Sequence, residues 1–470
     1  MLPVSESDRI EKDSLGEVHV AASALWGAQT QRAIENFRIG SMAVPAALLR
    51  AIGLIKWAAA ETNGELGELG QPLAAAIAAA ALEVSDGRHL DQFPVGVMQT
   101  GSGTSTNMNA NEVIARIAGG RVGMAVHPND HVNRCQSSND VIPTAIHLSA
   151  ALELRDKLQP ALAGLARAIE AKAAAVGQHV KPGRTHLMDA LPVTIGQEMR
   201  AWQFQVEEAA LRLAEVAPRV NRLALGATAV GTGVNAHPDF AARAIARLAA
   251  RTGLALSPAP NRFASLASQD TAVELSGQLR GAAVALLKIA NDLRWMNSGP
   301  LAGLGEISLP ALQPGSSIMP GKVNPVIPEA VAMAATQVMA NDVAVAMAGA
   351  SGNFQLNVML PLIAHALLQS IELLSGAACA LAARAIAGLT VHAGALSETL
   401  SRNPMLLTAL VPEIGYDRAA AIALRATTEG RPILDVAVEL SGLPRARLER
   451  LLDPGRLALG GEADDSSSDA

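Results

Sequence analysis

The chain has 470 residues, of which 50% are hydrophobic, 17% charged and only 2% aromatic, and its formal net charge is −6. So much apolar surface excludes a disordered chain, because burying it offsets the entropy of ordering. The negative balance and the scarcity of rings exclude basic or base-stacking surfaces that hold nucleic acid. Two cysteines, Cys135 and Cys379, suffice neither for a disulfide framework nor for a four-thiolate iron–sulfur centre, which points to a reducing compartment. The N-terminus lacks a basic region followed by an apolar one, and the Ala-dominated run 73–82 is half the length that spans a bilayer. A cytoplasmic protein without a membrane segment is expected.

In chain order, a modest strand candidate lies at 15–20, and up to about 137 short helices alternate with loops of Gly, Ser and Asn. The Ala/Leu/Arg/Lys stretch 145–180 predicts one long helix that ends near Gly177 and is stopped by Pro182. Further long helical windows cover 194–222, 269–298, 327–349 and 355–390. The fold class is all-α, with an N-terminal domain 1–137, a central helical bundle 138–392 and a small helical domain 393–470. Pro404, Pro412, Pro432 and Pro444 punctuate the last, and its acidic, Ser-rich end from Gly460 is expected to be disordered. Residues 282–290 and 358–374 are apolar around most of the helix circumference, so other subunits must cover them. An oligomer is expected.

Four polar segments stand out. Residues 100–109, with Ser102, Gly103 and Thr104, precede a helix and form either an anion site of N–H groups or an ordinary cap. Residues 127–140 hold His127, Asn129 and Asp130, and end in Ser137, Ser138 and Asn139, placed to cap the next helix. His127 and His131 have metal-ligand spacing, but no partner nearby completes a site, and no metal is assigned. Residues 183–190 carry His186, the side chain best suited to moving protons near neutral pH, in a polar loop. Residues 315–325 combine two prolines and two glycines with Ser316, Ser317, Lys322 and Asn324 in a shaped loop. Gly315 and Gly321 are candidate hinges there.

The string GSSIMPGKVNP at 315–325 resembles the signature of the fumarase/aspartase superfamily. LWGAQTQR at 25–32, GSGTSTNMNANEV at 101–113, HPNDHVNRCQSSND at 127–140 and GRTHLMDA at 183–190 resemble class II fumarate hydratases more closely. So do GATAVGTGVNA at 226–236, IANDLRWMNSGPLAGLGEI at 289–307 and GNFQLNV at 352–358, and the resemblance spans about 9–455. It implies a three-domain fold whose long helices build a 20-helix core in a homotetramer, with active sites shared between subunits. It also implies the reversible hydration of fumarate to (S)-malate, a step of the tricarboxylic acid cycle, through an aci-carboxylate and without cofactor.

By the same resemblance Ser316 is the base, and His186 handles the water proton with Glu329 as its charged partner. Ser102, Gly103, Thr104, Ser137, Ser138, Asn139, Thr185, Ser317, Lys322 and Asn324 hold substrate, and His127, Asn129 and Asp130 form a secondary carboxylate site. Two departures count. The segment between Glu112 and His127 is shorter than in typical fumarases, and 326–331 and 356–361 have an aspartase flavour. The alternative is therefore aspartate ammonia-lyase. His186 weighs against it, because aspartases usually carry Gln there.

Overall fold

The computed structural model describes residues 8–460; the tail expected to be disordered lies, from 461 on, outside them. Two short strands, β1 (Asp8–Asp13) and β2 (Gly16–Ala21), open the chain as an antiparallel hairpin. The expected strand at 15–20 is thus the second half of a hairpin. Its partner DRIEKD is charged, with too little apolar alternation to stand out in the sequence.

Helices follow: α1 (Ala28–Asn36), α2 (Ala46–Glu65), α3 (Gln71–Ser85), α4 (Thr104–Val122), α5 (Ser138–Glu153) and α6 (Gln159–Val176). The expected 145–180 helix exists as α5 and α6, joined by a π-helical turn at Leu154–Leu158. Pro160 explains the widened turn: it brings no N–H to the ladder and its ring crowds the preceding carbonyl. Strands β3 (Val180–Thr185) and β4 (Met188–Thr194) then form a hairpin where a plain polar loop was expected.

The remaining long helices are α7 (Ile195–Val220), α8 (Phe240–Thr252), α9 (Arg262–Ala267), α10 (Asp270–Met296), α11 (Val326–Gly349) and α12 (Leu360–Ala380). Four match the sequence windows closely. The last begins five residues late, because Gly352–Asn353 and Leu356–Asn357 pair as a tiny hairpin first.

The chain packs as two compact units. The first comprises Met1–Ala161, Ala209–Val284 and Ala334–Gly376. Its core is made by Ile52 and Ile55 of α2, Ile77 and Val84 of α3, Val113 and Ile114 of α4, and Val141 and Ile146 of α5, all fully buried or nearly so. Small residues let α2 and α3 approach closely. A Cβ on Gly53 would stand 2.5 Å from the Ser85 backbone nitrogen, so only glycine fits there.

The second unit comprises Leu162–Glu208, Ala285–Met333 and Ala377–Ala470. Here Trp202 is fully buried and its indole N–H donates to Asp292 at 2.9 Å. Leu406, Leu410, Ile422, Ile433, Val436 and Leu448 build a separate cluster within the C-terminal helices.

Helices α11 and Leu360–Ile386 are long and apolar enough to cross a membrane. Both carry polar groups tied to protein partners near their middles. Asp342 takes Ser276 and Arg280 at 2.7 Å, and Asn341 donates to the Ser370 hydroxyl at 3.1 Å. Such groups are costly in hydrocarbon and ordinary between packed helices.

Candidate active site

Within the first unit, the N-terminal ends of α4 and α5 carry the hydroxyl-rich segments. Gly103 ends the lead-in to α4 with φ +74, and a Cβ there would stand 2.9 Å from the Ile142 side chain. The Ser102 and Thr104 hydroxyls lie 2.7 Å apart beside the helix end, and Gln99 takes the Thr106 N–H at 2.9 Å. Ser137 caps α5: its hydroxyl accepts from the Asn139 N–H while the Asp140 carboxylate accepts from the Ser137 N–H at 2.9 Å. This is the reciprocal capping box that S-x-x-D announces.

The other Asp140 oxygen accepts from the Gly226 and Thr228 N–H groups, both at 2.9 Å, and Asn139 donates to the Ala229 carbonyl at 2.8 Å. The loop 226–229 is thereby bound to the start of α5. Ser138 is buried, and its hydroxyl accepts from Asn107 of α4 at 2.9 Å. These bonds draw 104–107, 137–140 and 226–229 together.

Beneath them lies a buried polar layer. The Lys56 ammonium donates to Asn133 at 2.9 Å and Gln136 at 3.0 Å, and Asn107 and Asn111 also donate to Asn133. Burial pushes Lys56 down to about 7 against the pull of Asp140, and pushes Asp140 up to about 6 despite its backbone donors. Neither residue stands out in sequence, since an apolar helix gives no sign of which lysine points inward.

His127, Asn129 and Asp130 lie on a π-helical turn, Pro128–Val132. The His127 Nδ1 accepts from the Asp130 N–H at 3.1 Å, and both side chains are exposed. His127 and Asn129, with Arg9, Lys12 and Arg116, line a cavity of 850 Å3 within this unit.

The second unit carries the proton-handling candidates. His186 and Leu187 are the two central residues of the β3–β4 turn, with φ +56 and +60. A tight hairpin turn wants left-handed backbone at both positions, which Asn-Gly adopts readily and His-Leu does not. Side chains held in that region against their preference gather at functional sites. Thr185 and His186 are exposed at this tip.

Residues 315–324 close on themselves: the Gly315 N–H meets the Lys322 carbonyl at 2.8 Å and the Asn324 amide donates to the Gly315 carbonyl at 2.8 Å. A Cβ on Gly315 would stand 2.4 Å from that same carbonyl. Inside the closed loop the Ser316 hydroxyl oxygen accepts from the Ile318 N–H at 3.2 Å and the Met319 N–H at 3.0 Å. Ser317 and Lys322 are exposed.

Lys322, Asn324 and Glu329 of α11 share a cavity of 440 Å3 with Asn291, Arg294 and Asn297. Ser316 and His186 are not among its lining, and among the described residues no ion pair joins His186 to Glu329 within the chain. Arg294 and the two asparagines escaped the sequence reading, although they lie in the 289–307 block.

Long helices that present small polar groups at their ends are what this chain shares with a family of lyases. The family model described as Lyase matches residues 16–340, and one described as Fumarase C C-terminus matches 406–458. The chain belongs to the class II fumarate hydratase family. It is 58% identical to Fumarate hydratase class II 2 of Pseudomonas aeruginosa over 96% of this chain and 99% of that one. Against Fumarate hydratase class II of Xylella fastidiosa the identity is 57%, with 98% of each chain covered. The class II fumarase of Schistosoma mansoni superposes with a TM-score of 0.93 at 37% identity, over 97% of this chain and 100% of that one. The fold is therefore that of the fumarase/aspartase superfamily, as the motifs led one to expect.

Proposed function

We propose that this chain catalyses the reversible hydration of fumarate to (S)-malate, as a step of the tricarboxylic acid cycle in the cytoplasm. Malate loses its C3 proton to Ser316, and the resulting aci-carboxylate expels the C2 hydroxyl as water with a proton handled by His186 and Glu329. The observation that carries this reading is the Ser316 oxygen with two N–H groups aimed at it. Hydrogen bonds to the charged form favour that form, and they oppose the desolvation that would keep the serine neutral.

The substrate carboxylates fall to Lys322, Asn324, Thr185 and Ser317, with Ser102, Gly103, Thr104, Ser137, Ser138 and Asn139 supplied by other copies of the chain. His127, Asn129 and Asp130 hold a second dicarboxylate outside the site. Every step uses groups of this protein alone.

The assembly is a homotetramer with a 20-helix core, and the chain divides at 137 and 392 into three domains. What supports an assembly is α11, where only 33% of an apolar window is buried and Met333, Val343 and Met347 lie exposed along one side. An exposed apolar stripe of this length marks a contact surface.

The test is loss of ultraviolet absorbance when purified protein receives fumarate, with and without ammonium. Conversion of fumarate alone is expected. Conversion only in the presence of ammonium overturns the proposal in favour of aspartate ammonia-lyase.

A further inference from the structure

We infer that Glu306 is a positioning residue for this site: its buried carboxylate holds the stem of the β3–β4 hairpin and so sets the attitude of His186 at the tip. The inference rests on the reading of His186 as the proton-handling group. It concerns a residue that does not touch the substrate.

Glu306 and Lys181 are each 2% exposed. The Lys181 ammonium stands 2.7 Å from one Glu306 oxygen, and the Arg184 guanidinium stands 2.7 Å from the other. Lys181 also reaches Glu198 of α7 at 2.8 Å. Two cations of one strand thus converge on one carboxylate, which a regular strand would not allow. Side chains alternate across a strand, so residues 181 and 184 belong to opposite faces.

The hairpin is not regular here. The register of β3 against β4 slips between Pro182 and Arg184, where Gly183 alone stands opposite Ala190 and Leu191, and beside this irregularity both long side chains reach Glu306. Gly183 sits at the slip, where a Cβ would lie 2.6 Å from the Leu191 carbonyl. The slip costs backbone pairing, and the double grip on Glu306 lies directly beside it.

Arg184 is two residues from His186, and Thr185 pairs with Met188 to close the turn. The main chain of Glu306 is fixed as well. Its N–H donates to the Met296 carbonyl and its carbonyl accepts from the His392 N–H, both at 2.9 Å. The carboxylate is therefore an immobile point, and the strained turn is referred to it through one side chain. Both its oxygens are buried without a well-aligned hydrogen bond, so the grip is electrostatic. Charge rather than shape is then the property to remove.

The experiment is a double-mutant cycle on the intact enzyme with E306Q, H186N and the pair, assayed by fumarate hydration between pH 6 and 9. E306Q should lower kcat by about 10- to 100-fold with KM changed by less than about threefold. It should also move the limb of the pH profile that H186N abolishes, while E306D restores part of the rate. In the H186N background, adding E306Q should cost less than about threefold, because the residue it positions is already gone. R184Q, which removes one of the two charges on Glu306, should give the same pattern more mildly and serves if E306Q fails to fold.

Equal losses from E306Q in both backgrounds, or a lower melting temperature with kcat unchanged, overturn the inference alone. An H186N enzyme as fast as the wild type removes His186 from its role and the inference with it. A wild type inert toward fumarate overturns the underlying reading of the function.

Discussion

A serine hydroxyl is a far weaker acid than any side chain that titrates near neutrality, so a serine base has to be built by its surroundings. In the 315–324 loop two backbone N–H groups converge on the Ser316 oxygen, and the loop is tied shut by Gly315, Lys322 and Asn324. Donors already aimed at the oxygen require no reorganisation when charge develops there. Ser316→Ala removes the proposed proton acceptor and leaves the loop closure intact. It should cut kcat by about 100-fold or more with little change in melting temperature, measured by fumarate turnover beside a thermal melt. Ser316 was legible in the sequence because its loop is dense in Gly and Pro and matches a family signature. The two donors were not, since main-chain direction inside an irregular loop follows from its closure.

Among the elements, the start of α5 shows how a helix end is turned into a fixture. Asp140 binds it to the 226–229 loop, and Ser138 binds it to α4 through Asn107. The polar layer below is anchored by Lys56, whose burial lowers its pKa from the ordinary 10.5 to about 7. Between these values the unfolded chain holds more protons than the folded one, so raising the pH from about 7 toward 10 should increase stability. Lys56→Met should flatten that rise, which urea denaturation at pH 7 and pH 9 would reveal. Equal slopes in the two proteins would mean that Lys56 keeps its proton throughout.

A cap for α5 was readable from Ser137, Ser138 and Asn139, and α7, α10 and α11 were readable from composition. The β3–β4 hairpin escaped for a physical reason: its stem uses Pro182 and Gly183, poor strand formers, and its turn uses His-Leu in place of Asn-Gly. Contacts made by Lys181 and Arg184 override those local preferences.

At the scale of the molecule, α11 presents an uncovered apolar face. Met333, Val343 and Met347 recur at a spacing that keeps them on one side of the helix, and each is more than half exposed. A charge at the centre of such a face would be desolvated without a partner on assembly. Met347→Glu should therefore reduce the particle mass seen by light scattering below that of the wild type, and activity should fall with it if several copies complete each site. An unchanged mass would place the contact on another face.

The family, the helical class and the polar loops follow from the sequence alone, because they depend on composition, helix periodicity and short motifs that are local in the chain. Only the tertiary structure decided that Ser316 receives two N–H groups, that His186 sits in left-handed backbone, and that Lys181, Arg184 and Glu306 meet. Those relations join residues far apart in the chain, follow from how an irregular loop closes, or fix backbone angles against local preference, so no local stretch of sequence announces them.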